Sequence, residues 1–382
     1  MPPMRIALFS ETYLPQRNGV SIILDRLVRS LCRNGHEVLV ATASGGAHAS
    51  GVPLPRGCTA VSVPSIPLPH SPDLRVAVPF SPRVTRAVKR FNPDVVHLAT
   101  AYSLGVIGLR TARLLGVPVV TSFHACIPDL LRYYGIRWGG ETWWRYLKWF
   151  HARVALTFCP SEVTAALLRD RGFKNVRVWA HGVETDRFSP AHRCPATRER
   201  LGPADTVRLL YVGRLAPEKD LPVLFDAYRR VCAANSRQPV NLIIAGDGVY
   251  TSRTRAQSPP GVDFVGYLEG EALTRTYASA DVFVFPSRAE TQGNVVLEAM
   301  ASGLPVIGMA AGGVLDNVHH EVNGLLCVPG DPRSFAQGIL KLVHQPQLRA
   351  ELGRNARTWA EGRAWELTLA PLVAGYREAI DG

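Results

Sequence analysis

"DVFVFPSRAETQGNVVLEAMASGLPVIGM", Asp281 to Met309, decides the fold. "DVFVFPS" is a short apolar run bounded by turn residues, which predicts a buried strand. "NVVLEAMAS" predicts a helix whose end is marked by Gly303. "LPVIGM" is again a buried strand. A strand, a loop, a helix and a second strand in so short a span imply parallel strands wrapped by helices.

The alternation runs outward from there in both directions. "VRLLYVGRL", "VNLIIAGDG" and "VDFVGYL" precede the stretch, and "GLLCVPG" follows it. Near the start, "MRIALFS" is a strand and "ETYLPQRNG" a loop. A helical pattern follows, with Val20, Ile23, Leu24, Leu27, Val28 and Leu31 on one face and Gly35 at its end. "HEVLVATA", "PDVVHLAT", "VPVVTSF" and "LTFCPS" continue the series, with helical stretches such as Leu104 to Leu115 between them. Proline-rich "VPLPRG" and "VPSIPLPHSP" mark a surface excursion. Periodicity lapses around "FSPAHRCPATRERLGPAD", the expected linker. The expected fold class is α/β, two doubly wound Rossmann-like domains facing each other, at 1–187 and 188–361. Ligands of such sheets bind at the carboxyl ends of the strands, so the cleft between the domains is the expected site.

Composition narrows the functions. The 382 residues suffice for two domains, and 47% hydrophobic with 19% charged residues is ordinary for globular proteins. Seven scattered cysteines without a C-x-x-C pair fit reduced thiols rather than a disulfide framework or zinc site. The apolar run Ile6 to Phe9 is too short for a signal-peptide core, and no apolar stretch approaches the ~18 residues that span a bilayer. A cytoplasmic location is therefore expected, with peripheral attachment to the inner face of the cell membrane as the alternative. Residues 1–187 hold 23 Lys+Arg against 11 Asp+Glu, so the whole net charge of +12 lies there. That half is expected to face something anionic: a membrane surface, a nucleic acid or an acidic substrate.

Glu290 and Gly293 lie in the loop between the strand and helix first quoted, and Glu298 lies about one turn into the helix. The amides of Gly293, Asn294 and Val295 would start that helix, a ready place for a phosphate. Glu298 has two acceptor oxygens suited to the paired hydroxyls of a ribose. Glu290 would point to whatever the phosphate carries. A nucleotide sugar meets all three demands. The bland alternatives are a helix N-cap region with one solvated glutamate, or a glycosidase-like carboxylate pair. The second is disfavoured by the phosphate-binding loop between the two acids. In "GRLAPEKD", Arg214 and Lys219 end a strand where two cations could clamp a diphosphate, or simply form a solvated loop. "AGDG" and "GYLEGEAL", with Tyr267, would wall the base. In "RNGVS", Gly19 opens a helix that could offer further amides to phosphate. His124 follows "VPVVTSF" and would look into the cleft, although a lone histidine is usually structural.

These motifs, together with "FPSRAETQGNVVLEAMASGLPV", "VNGLL", "FSETYLPQRNGV", "HGVETDRFSP" and "AWELTLAPLVAGYREAI", resemble the family 4 glycosyltransferases in order and spacing. The resemblance covers essentially the whole chain. It implies the GT-B fold, a closing helix at 362–382 that crosses back to the first domain, and a retaining hexosyltransferase reaction from a nucleotide-sugar donor. It implies no cofactor and no metal, and no D-x-D motif is present. Residue by residue it assigns Glu298 to the ribose, Glu290 to the transferred sugar and Arg214 and Lys219 to the diphosphate. Gly19 falls on the phosphate from the opposite domain and His124 near the reaction centre. Asp220 and His181 depart from the family pattern, and "YTSRTRAQSPP" looks too short and proline-rich for the usual helix.

"VPSIPLPHSPDLRVAVP", "SFHACIPDLLRYYG" and "HGVETDRFSP" look most like the branch of sulfoquinovosyl- and mannosyltransferases that glycosylates membrane lipids. The expected donor is GDP-mannose or a UDP-sugar and the expected acceptor a lipid on an anionic membrane. The alternatives are a soluble, polysaccharide or secondary-metabolite acceptor. "RVTRAVKRF" reads as a basic amphipathic helix, and Trp138, Trp143, Trp144 and Trp149 could anchor a neighbouring segment in headgroups or pack the core. A nicotinamide dehydrogenase is disfavoured, because "SETYLPQRNG" is not G-x-G-x-x-G. A sugar-nucleotide epimerase would share the fold. A nucleic-acid partner would explain the charge but not the glutamate–glycine loop, and none is expected.

Overall fold

The structure, a computed structural model, describes residues 2–16, 18–43, 53–68, 71–135, 139–234 and 238–382, with backbone alone at 67–68 and 71–74. The chain's contacts group it into two units. One comprises Met1–Cys126, Gly139–Ala180 and Thr368–Gly382, the other Ile127–Trp138 and His181–Leu367. Beside the limits expected from sequence, 181–187 and 362–367 fall in the second group. The His181 N–H donates to Gln292 Oε1 at 2.9 Å, and Val183 bridges Ala364. Ile127–Tyr133 also packs with the second group, against the turn Pro217–Lys219.

The first unit is built on a seven-stranded parallel sheet. Its strands are β1 (Arg5–Ser10), β2 (Glu37–Ala43), β3 (Cys58–Val63), β6 (Val95–Leu98), β7 (Val119–Ser122), β8 (Leu156–Cys159) and β9 (Val176–Val178), in the order β3-β2-β1-β6-β7-β8-β9. The expected surface excursion is an antiparallel ribbon of β4 (Ser65–Leu68) and β5 (Ser71–Ala77). Strands β6, β7 and β8 are buried throughout, which explains their unbroken apolar runs. Helix Gly19–Arg33 starts where Asn18 and Ser21 form a reciprocal capping box.

Part of the aromatic segment is core rather than surface. Trp144 is buried and stacks on Phe123 and against Phe173, so it is core. Trp143 packs with Tyr102 and Tyr146. Trp149 is 43% exposed and lies beneath the Arg153 guanidinium. Trp138 lies outside the described residues. The tryptophans of helix Gly140–His151 repeat too irregularly for one interfacial face, and the core takes those it can cover.

The second unit holds a six-stranded parallel sheet. Its strands are β10 (Val207–Val212), β11 (Val240–Ala245), β12 (Val262–Gly266), β13 (Val282–Phe285), β14 (Val306–Met309) and β15 (Gly324–Cys327), in the order β12-β11-β10-β13-β14-β15. All six coincide with the apolar runs read from the sequence. The doubtful stretch after β11 does fold as a helix, Thr251–Gln257, which stops before Pro259.

Candidate active site

In the second sheet, β10 and β13 are neighbours, and the sequence order runs away from them on both sides. Ligands of open parallel sheets bind at such a switch point, beyond the carboxyl ends of the strands. Two loops therefore matter most: Gly213 to Asp220 after β10, and Pro286 to Gly293 after β13.

The structure brings the expected cations and carboxylates together there. Lys219 Nζ donates to Glu290 Oε1, and both side chains are largely buried. Ser287 Oγ lies 3.2 Å from the same oxygen and 3.1 Å from the backbone carbonyl oxygen of Glu218, so its single proton is shared between acceptors on the two loops. Arg214 Nη2 pairs with Glu218 Oε1 at 2.5 Å, while the Arg214 side chain remains 57% exposed. Glu218 is buried and takes a second bond from the Tyr134 hydroxyl at 3.2 Å. Tyr134 sits edge-on to Tyr250 and is pushed up to about 12 by burial first and the Glu218 charge next. It stays a phenol donor. Each expected cation thus has an acidic partner. Glu218 and Tyr134 were not singled out in the sequence, although the acid stood next to Lys219.

Gly293 opens helix Asn294–Ala301 with φ of 80°, a left-handed conformation that favours glycine. No side chain caps this end, and the first amides of an α-helix have no acceptor within it. Asn294 Oδ1 is buried and makes no hydrogen bond. One turn on, Glu298 Oε2 accepts from the Tyr277 hydroxyl at 3.2 Å. Burial, and then the Glu298 charge, push the Tyr277 phenol well above its ordinary value, so it remains a donor and holds the carboxylate.

The loop is pinned from behind. Gly313 N–H donates to Glu290 O at 2.8 Å, and a Cβ at Gly313 would lie 2.4 Å from Thr291 O. Asn317 Nδ2 donates to Gln292 O at 3.0 Å, and Gln292 Nε2 to His181 O at 2.7 Å. His181 therefore meets the loop through its backbone, which any residue supplies. Asp220 is equally accommodated: it has φ of 56°, a conformation aspartate tolerates, and its carboxylate pairs with Arg288 at 2.6 Å. The loops after β11 and β12 are joined by Gly246 N–H to Gly266 O at 2.8 Å; next to Gly266, Tyr267 is 55% exposed.

In the first unit the corresponding switch point lies between β1 and β6. Glu11, just beyond β1, is buried there and accepts from Thr100 Oγ1, Ser103 Oγ and the Leu104 N–H at the start of helix Ser103–Leu115. Burial raises its carboxyl, and these bonds oppose the rise. An acid directly after the first strand was the unused sequence signal. A Cβ at Gly19 would meet open space, and its φ is ordinary, so nothing among the described residues demands glycine there. His124 lies edge-on to Trp179, and burial pushes its imidazole down to about 4, which makes it neutral at neutral pH.

The comparisons with known proteins agree with this architecture. Residues 196–359 match the family described as Glycosyl transferases group 1, and residues 17–187 match Glycosyltransferase Family 4. A GDP-mannose-dependent alpha-mannosyltransferase of Mycobacterium tuberculosis is 36% identical, over 99% of this chain and 97% of that protein. A sulfoquinovosyl transferase of Arabidopsis thaliana is 32% identical, over 95% of this chain and 71% of that one. Among solved structures, sucrose-phosphate synthase from Thermosynechococcus elongatus superposes with a TM-score of 0.79 at 22% identity, covering 98% of each chain. Anabaena HepE in complex with UDP and glucose gives 0.76 at 22% identity, over 97% of this chain and 98% of that one. The two Rossmann-like sheets are those of the GT-B glycosyltransferases. The chain belongs to the family 4 glycosyltransferases and is a hexosyltransferase that draws on a nucleotide-sugar donor.

Proposed function

We propose that the protein is a retaining transferase that moves a hexose, mannose from GDP-mannose before a sugar from a UDP-sugar, to a hydroxyl of a membrane lipid. The observation that carries the donor site is the meeting of Lys219 and Glu290 beside the uncapped helix end at Gly293. In this reading the diphosphate lies over the amides of Gly293, Asn294 and Val295, with Arg214 and Lys219 on its oxygens. Glu298, steadied by Tyr277, takes the ribose hydroxyls. Glu290 faces the sugar, and Tyr267 walls the base. The orphan Asn294 Oδ1 supports a ligand here, because a buried acceptor without a partner otherwise costs stability. For Gly19 and His124, which belong to the first unit, the family resemblance alone supports a role toward phosphate and sugar, His124 being a neutral imidazole.

The reaction follows from these charges. As the bond between the anomeric carbon and the phosphate oxygen breaks, positive charge builds on the sugar and negative charge on the leaving diphosphate. Arg214, Lys219 and the amides meet the latter. The acceptor oxygen bonds the anomeric carbon on the face the phosphate leaves, and its proton passes to the departing phosphate oxygen. No resident cofactor or metal takes part in this reading.

The lipid acceptor rests on the mannosyl- and sulfoquinovosyltransferase relatives and on the excess charge of residues 1–187. It also supports peripheral attachment to the cytoplasmic face of a membrane; no described helix is long and apolar enough to cross one. The test is turnover of GDP-mannose and UDP-sugars against lipid extracts and soluble acceptors, with and without chelator, with the anomeric configuration of the product read by NMR. Inversion of configuration, or a chelator-sensitive rate, would refute the mechanism. Epimerised donor with no transfer would refute the function.

A further inference from the structure

We propose that the β4–β5 ribbon and the helix that follows it form a docking surface for an anionic lipid bilayer. The proposal deepens the lipid-acceptor reading and rests on it. Ile66 and Val76 are directly paired across the ribbon. Alternation places Val78 on the face of Val76, and its N–H extends the pairing to Pro64 O at 2.8 Å. All three point outward: Ile66 is 67% exposed, Val76 36% and Val78 38%, and Phe80, two residues on, is 78% exposed.

The ribbon's other face is fastened to the protein. Ala77 is buried, and its carbonyl accepts from Ser103 Oγ at 2.7 Å. Arg75 donates from Nε to Ser65 Oγ and from Nη2 to Ser65 O, both at 2.8 Å. The apolar face is therefore held out on a braced support.

Helix Pro82–Phe91 begins two residues after Phe80. It buries Val84 and Val88, one turn apart, and exposes Arg83, Arg86, Lys89 and Arg90. It contains no acid, and its part of the chain carries the entire net charge of +12. Apolar side chains beside a row of exposed cations match the two layers of an anionic bilayer, acyl chains and headgroups. A second copy fits poorly, because a two-fold contact through this face would set like charges against each other. A nucleic acid would leave Ile66, Val76 and Val78 without a use.

Cosedimentation with vesicles of phosphatidylglycerol and phosphatidylcholine, against phosphatidylcholine alone, tests the surface. Wild type is expected to bind the anionic vesicles and to be released by salt. Ile66→Asp with Phe80→Asp should weaken binding at least ~10-fold, from the burial lost by two large apolar side chains. Replacing Arg83, Arg86, Lys89 and Arg90 by glutamate should weaken it on the order of 10³-fold or more. Both variants should keep normal nucleotide binding, which reports an intact second unit, and a native circular dichroism spectrum. In Phe80→Trp, emission added over wild type should shift blue on binding and be quenched by brominated lipid. Wild-type binding to both variants, or no quenching at residue 80, would overturn the proposal. So would a concentration-dependent dimer that the apolar variant abolishes. Absent vesicle binding with transfer to detergent-dispersed lipid intact would remove the surface and leave the acceptor reading standing. Vesicle binding with transfer to soluble acceptors alone would do the reverse.

Discussion

Lys219 and Glu290 are 71 positions apart and in contact, and the chemistry proposed for the donor turns on what each gives up when a diphosphate arrives. Lys219→Ala removes charge stabilisation that grows as the leaving group departs, so kcat should fall ~10²-fold or more. Arg214→Ala should act similarly. Each change also strips the cation from a buried or largely buried carboxylate, Glu218 or Glu290, so both variants should melt at a lower temperature than wild type. The carboxylates should part company. Glu298→Gln is expected to weaken binding of the free nucleoside diphosphate, whereas Glu290→Gln should leave that affinity near normal and slow transfer. Calorimetric titration of both variants decides it, and equal losses of affinity would reverse the assignment of donor ends. These pairs were only half legible. Residue types near strand ends pointed to an anion and a ribose, but Tyr277 stands 21 positions before Glu298, and Glu218 and Ser287, although they neighbour Arg214 and Glu290 in sequence, follow no periodicity that marks them as partners.

Among the elements, strands and glycine turns were read most fully, because burial on both faces demands unbroken apolar runs. The loop before helix Asn294–Ala301 is a different case, since its shape depends on a second loop behind it. Gly313→Ala would place a methyl group 2.4 Å from Thr291 O, too close without moving the loop. We expect a loss of about 3 kcal/mol or more in unfolding free energy, if the loop holds, or a marked drop in donor affinity if it yields. Urea denaturation alongside nucleotide titration measures both, and a variant normal in each would show that the pinning is dispensable. Helix Gly140–His151 shows where composition misleads. Its tryptophans suggested an interfacial segment, yet Trp144 fills core between Phe123 and Phe173. Exposed apolar side chains also lie on the proline-rich ribbon, whose pairing register no periodicity announced.

For the whole molecule, acid should act first on buried histidines. Burial pushes His97 and His151 down to about 3 and His124 to about 4, from 6.5. His97 is locked between the Tyr376 hydroxyl and Ser122 Oγ, each at 2.7 Å. Below pH 6.5 the unfolded chain binds protons that the folded chain refuses, so stability is complete above that pH and is lost progressively as pH falls towards 4 and 3. Each group contributes about 1.4 kcal/mol per pH unit within its window. Denaturation at pH 7.5 and pH 5.5 should therefore show a clear loss at the lower value, reduced in a His151→Gln variant. A flat profile would contradict the burial of these rings.

The order of elements along the chain was enough to establish alternating strands and helices in two α/β units, and the spacing of glycines and charges pointed to a phosphate-carrying ligand. Those properties are local: a strand buried on both faces and a helix end both depend on a few neighbouring residues. What the chain order could not supply is which strands become neighbours. The placing of β10 beside β13 sets Lys219 against Glu290, and a contact 21 positions long sets Tyr277 beneath Glu298. Likewise, residues 127–135 join the second unit although the sequence continues the first around them. Such pairings are settled by burial and hydrogen bonding across the whole fold, where each side chain answers to neighbours that sequence proximity does not reveal.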